Sequence, residues 1–170
     1  RKAELQVPRI SINVSVEQFR DNEFAERVLG WAQSHDVPLN EITIEITESV
    51  LAERIDTVGT MLHQLEEHGA TISIDDFGTG YSSLGYLKRL PIHELKVDRS
   101  FVDGITDDAE DCAISKAIID MAHALGMVVV AEGVETAEQR DVLVRLGCEI
   151  AQGYFYHRPL PAQEFANLLI

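Results

Sequence analysis

The chain has 170 residues, 45 % of them hydrophobic and 25 % charged, which suits one globular domain with a sizeable core. A net charge of −15 excludes a basic groove for a nucleic acid polymer and leaves 29 acids, most of them expected on a solvated surface and the rest free to gather cations. No apolar run is long enough to span a membrane, and two cysteines without metal-ligand spacing, Cys112 and Cys148, are read as core thiols in a reducing cytoplasm.

Six short segments rich in Ile and Val read as strands, with helical stripes between them. RISINV at 9–14 precedes a stripe of Phe24, Val28 and Trp31. ITIEIT at 42–47 precedes Val58, Met61, Leu62 and Leu65. TISIDD at 71–76 runs into the Gly- and Ser-rich stretch DFGTGYSSL at 76–84. ELKVD at 94–98 precedes Ile114, Ile118, Met121 and Leu125. MVVVA at 127–131 leads to a capping box, Thr136 with Gln139, that opens a helix bearing Val142, Leu143 and Leu146. CEIAQ at 148–152 closes the series. Gly69, Gly126 and Gly147 each stand where a helix should stop. The aromatic and Met positions of these helices, Trp31 included, are expected to pack against the sheet.

Alternating strands and helices imply an α/β fold with a parallel sheet. An open doubly wound sheet competes with a barrel. No glycine-rich phosphate loop follows the first strand, which weakens the open sheet. Six units are fewer than the eight of a closed (β/α) TIM-type barrel, so that reading predicts a barrel lacking its first two strands. Residues 1–170 would then be one N-terminally incomplete domain with open sheet edges.

Polar side chains recur at the C-terminal strand ends, where a parallel barrel places its active site. They are Asn13, then Glu45 with Glu48, then Asp75 with Asp76, then Lys96 with Asp98, then Glu132 and Gln152. Carboxylates and an amide suit hard cations such as Mg2+ or Mn2+. Adjacent Asp75 and Asp76 could serve two ions, provided one of them lies where the strand breaks. Two such ions are the usual apparatus of phosphodiester hydrolysis. The six histidines show no ligand spacing; only His157 is expected near the mouth. A glycosidase carboxylate pair would leave Asn13, Lys96 and the adjacent aspartates unexplained.

The segments SINVS, IEITES, SIDDFGTGYSSL, LKVDRSFV, AEGVET and QGYFYHRPL, in this order, resemble the signatures of the EAL domain, a cyclic-di-GMP phosphodiesterase family. The resemblance implies a (β/α) barrel that hydrolyses cyclic-di-GMP to linear pGpG with two Mg2+ or Mn2+ ions. By match, Asn13, Glu45 and Asp75 hold the first metal, and Asp75 with Asp76 the second. Lys96 and Glu132 are the catalytic pair: Lys96 polarises water, and Glu132 is a general base or second-metal partner. Gln152 and Glu135 are matched to substrate binding. Glu48, Asp98, Phe77, Gly78, Thr79 and Gly80 are matched to support of the 76–84 loop, through which the resemblance implies a homodimer. The Glu-Ala-Leu signature itself is absent, so this stretch alone is expected to hydrolyse poorly. The alternative is an impaired domain that serves as a cyclic-di-GMP receptor or dimerisation module. Intact acids and an intact loop favour the hydrolase.

Overall fold

The computed structural model describes residues 9–78 and 84–168. Six parallel strands form one sheet: β1 (Ile10–Val14), β2 (Ile42–Thr47), β3 (Thr71–Phe77), β4 (Glu94–Val97), β5 (Val128–Ala131) and β6 (Ile150–Ala151). Their order in the sheet is their order in the chain. A doubly wound sheet reverses its strand order at a switch point; this one does not, so it has the wall topology of a (β/α) barrel. Among the described residues β1 and β6 are the two edges.

Helices connect the strands: α1 (Phe24–Ser34), α2 (Glu48–Glu67), the short α3 (Leu84–Leu87) and α4 (Arg99–Asp103), then α5 (Ala109–Ala124), α6 (Ala137–Leu146) and α7 (Ala162–Leu168). α2, α5 and α6 stop at glycines. Gly69, Gly126 and Gly147 have φ of 99°, 76° and 93°, left-handed values at which a side chain is disfavoured. None of the described helices is long and apolar enough to cross a membrane.

The core lies between the sheet and the helices. Ile44, Ile46, Ile72, Ile74, Leu95, Val97, Val129 and Ala131 are buried with Val58, Met61, Leu62 and Leu65 of α2 and Ile118, Ile119 and Ala122 of α5. Burying a side chain of the Ile or Leu class gains about 1.5–3 kcal/mol, so this layer dominates the stability. The strands alternate, so their other face carries Glu45, Ser73, Asp75, Glu94 and Lys96. The polar face is the inside of the barrel wall.

Three expectations need correction. Trp31 is 60 % exposed and lines an apolar groove with Ile12, Val28 and Val37, because no described element covers that side of β1. Ile114 is also exposed, and the buried stripe of α5 is Ser115, Ile118, Ile119 and Ala122. Ser115 faces α4, its Oγ donating to Phe101 O at 3.4 Å, while Ile118, Ile119 and Ala122 join the core. Cys112 and Cys148 are free and only half-buried, at the margin of the core.

Candidate metal centre

Lys96 is the centre of the polar face. It is 4 % exposed, and its Nζ lies 2.6 Å from Glu132 Oε1, 3.0 Å from Asp75 Oδ1 and 3.1 Å from Glu45 Oε2. Four adjacent strands or their ends supply these groups. Strand register brings them together: Thr47 pairs with Asp75, and Lys96 with Val130, two residues before Glu132 and so on the same side of the strand. Glu132 follows β5 and stays on the sheet because its N–H donates to Val97 O at 3.1 Å. Gln152, just past β6, donates from Nε2 to Glu132 Oε1 at 2.5 Å.

The adjacent aspartates lie within β3, at an irregularity in its pairing rather than where the strand gives way to a loop. Pairing of β3 with β4 shifts between Ile74 and Phe77, and Asp76 has φ of 53°. This left-handed residue lets both carboxylates serve one cluster, with Asp76 N–H donating to Asp75 Oδ1 at 3.0 Å. One oxygen each from Asp75, Asp76 and Glu132 lie within 4.8 Å of one another.

The electrostatics favour a cation. Burial would lower the Lys96 ammonium, but the hydrogen bond it donates to Glu132 and the charges of Glu132, Asp75 and Glu45 outweigh it and hold the pKa above the ordinary lysine range. Burial pushes the Glu132 carboxyl up against the opposing pull of Lys96. Burial, then the charges of Asp75 and Asp98, push Asp76 up as well. Glu45, Asp75 and Glu132 all contact one ammonium, and Asp76 adds a fourth carboxylate. Desolvated acids in excess of their counter-charge are costly, and an all-oxygen donor set fits a hard divalent ion. The residues therefore fit a metal.

The remaining expected residues divide. Asn13 is exposed on edge strand β1, with Glu45 as its register partner. Glu48 opens α2, and its Oε2 accepts from Gly78 N–H at 3.4 Å. Phe77 is buried, and Gly78 has φ of 98°, with the Phe101 ring and Ile118 so near that a side chain there would have to shift them. Thr79 and Gly80 lie outside the described residues. Asp98 caps α4, accepting from Ser100 N–H at 2.9 Å, and these bonds outweigh burial and lower its pKa. Glu135 stands apart from the acids, in an ion pair of 2.9 Å with Arg99. Beside them a cavity of about 470 Å3 is lined by Arg99, Gly133, Gln152, His157 and Arg158. His157 thus sits near the mouth as anticipated.

Sequence reasoning passed over three groups. Arg9 pairs with Glu94 at 2.6 Å and reaches Thr71 Oγ1 at 2.5 Å, a second polar layer on the same face. An acid inside the apolar segment ELKV was its only visible signal. Arg99 and the amide of Gln139 bridge the loops after β4 and β5. Ser73 Oγ, between the two polar layers, is buried without a hydrogen-bond partner among the described residues.

A family model described as EAL domain matches residues 1–159. The chain is 43 % identical over 155 residues to the bifunctional diguanylate cyclase/cyclic di-GMP phosphodiesterase MucR of Pseudomonas aeruginosa, covering 91 % of this chain and 23 % of that protein. A solved structure of the PaMucR phosphodiesterase in complex with c-di-GMP superposes with a TM-score of 0.88 at 43 % identity, covering 92 % of this chain and 64 % of the other. The manganese/cy-diGMP complex of Klebsiella pneumoniae BlrP1 superposes with a TM-score of 0.83 at 29 % identity, covering 91 % and 40 %. The chain spans about a fifth of the length of the curated relatives it matches.

Proposed function

The chain belongs to the EAL domain family, and from that premise we propose that it hydrolyses cyclic-di-GMP to linear pGpG with two Mg2+ or Mn2+ ions. The observation that carries the reading is the cluster of Asp75, Asp76 and Glu132 oxygens within 4.8 Å, backed by buried Lys96. Asn13, Glu45 and Asp75 would hold one ion, and Asp75 with Asp76 the other. When bound, the ions supply Lewis acidity that neutralises phosphodiester charge and makes water acidic enough to attack at neutral pH.

The chain's own residues do the rest. Lys96 orients the attacking water and offsets negative charge as it builds on the phosphoryl oxygens. Glu132, its carboxyl raised by burial, takes the water's proton. Gln152 fixes the Glu132 carboxylate through its 2.5 Å hydrogen bond and meets the substrate from the rim. Glu135 meets the substrate from the neighbouring loop after β5. Glu48 anchors the start of the 76–84 segment through Gly78, which ties the metal aspartates to a homodimer contact.

The test is an assay on the full-length protein with cyclic-di-GMP and Mn2+. Linear pGpG is expected from the wild type, and Asp75→Asn should lower the rate more than about a hundredfold, since even the partners of metal ligands matter by 10–100-fold. Light scattering on the same sample should read two chains. Intact cyclic-di-GMP in the wild-type reaction overturns the hydrolase, and a monomer at assay concentration overturns the dimer.

A further inference from the structure

Two loops form the polar rim beside the acid cluster. One follows β4 and passes through α4; the other follows β5 and enters α6. At the surface Arg99 joins them, pairing with Asp103 at 3.2 Å and Glu135 at 2.9 Å. Exposed pairs of this kind hold geometry weakly.

Beneath them lies Gln139, 6 % exposed. Its Oε1 accepts from Glu135 N–H at 2.8 Å and Thr136 N–H at 3.0 Å. Its Nε2 donates to Val102 O at 3.2 Å and Asp103 O at 3.5 Å. Two N–H groups on one side and two carbonyls on the other settle which way the amide points. The capping box accounts for the oxygen alone, and glutamate serves that helix position equally well. Only an amide can also donate to α4; a carboxylate would set its oxygens against two carbonyls.

We propose that Gln139 is a positioning residue for ligand recognition, whose amide clamps α4 to the 133–136 loop and so sets the spacing of Arg99 and Glu135 at the rim. It makes no contact with the acid cluster, and Glu132 is held separately by its hydrogen bond to β4. Loosening the clamp therefore disturbs the rim and spares the metal acids. The inference rests on the proposed cyclic-di-GMP reaction for its ligand.

Gln139→Glu tests it, because this variant keeps the cap acceptors and removes the donors. Thr136→Ala is the control, since it removes the cap hydroxyl and keeps the clamp. In the full-length protein with Mn2+, Gln139→Glu should raise KM for cyclic-di-GMP about tenfold with kcat within about twofold. Its Mn2+ affinity, titrated without substrate, should stay within about twofold of the wild type. Amide hydrogen exchange should quicken in residues 99–103 and 133–136 together. Thr136→Ala should leave KM unchanged, with faster exchange confined to the first turn of α6. An unchanged KM in Gln139→Glu, or an equal rise in Thr136→Ala, overturns the proposal. If the wild type neither binds nor cleaves cyclic-di-GMP, the proposed function fails on that result. Exchange then decides the clamp alone: coupled loosening in Gln139→Glu supports it, and unchanged exchange overturns it.

Discussion

Burial pushes the Cys148 thiol from an ordinary 9.0 up to about 11, with its Sγ donating to Ile150 O at 3.1 Å. The folded chain keeps a proton that the unfolded chain releases near pH 9. This contribution to stability is complete below pH 9 and is lost as pH rises toward 11. The thiolate is the reactive form. At pH 8, iodoacetamide should therefore alkylate Cys148 roughly a hundredfold more slowly in the folded chain than in urea, the two-unit difference in thiolate fraction. Mass spectrometry of the Cys148 peptide reads the rate, and equal rates in both conditions contradict the assignment. Lys96 shows the opposite balance, since there three carboxylates overcome a burial that left Cys148 neutral.

At the scale of elements, the mouth depends on how closely loops approach. Gly153 follows Gln152, and a Cβ there would strike the Val134 backbone at both N and O. The close approach serves two hydrogen bonds, Val134 N–H to Gln152 O at 3.0 Å and Phe155 N–H to Val134 O at 2.9 Å. Gly153→Ala must push the chain after β6 off the 132–135 loop. The expected cost is about 2–3 kcal/mol, in the range of overpacked sites, with Gln152 drawn away from Glu132. Urea denaturation measures the first effect and KM the second. Wild-type stability in Gly153→Ala would show that the two segments are not packed as described. Gly133 is constrained in the same way by the Arg99 side chain, and its φ of 70° adds a backbone reason for glycine.

For the whole molecule, a charge of −15 and a mouth in which three carboxylates contact one ammonium and a fourth lies beside them disfavour the compact state without cations. An ion that binds only the folded chain stabilises it by about 2.7 kcal/mol at a hundredfold excess over Kd. For a chain of this size that shift is roughly 5–10 °C in Tm. Scanning calorimetry with Mn2+ should show the rise, and excess EDTA should reverse it. A Tm that ignores Mn2+ argues against a folded-state metal centre.

Much of this was legible in the residues. Six strands were found to within about two residues because runs of Ile and Val buried between layers leave a strong period. The cluster of Asp75, Asp76, Lys96 and Glu132 was foreseeable from position alone, since parallel strands in chain order deliver their C-terminal ends to one rim. Adjacent acids that must face one way called for a departure from regular pairing, and it comes as a left-handed Asp76 inside β3 rather than as the end of the strand. Contacts without a local pattern were not legible. The exposure of Trp31 depends on which element covers α1, and the burial of Ser115 in place of Ile114 on how α4 packs against α5. The amide of Gln139 reads as a helix cap until its second pair of partners, 36 and 37 residues away, comes into range. Sequence alone determined the periodicities, because each arises from neighbours along the chain. Only the tertiary structure decided which buried polar groups meet, because those partners come together when the sheet forms.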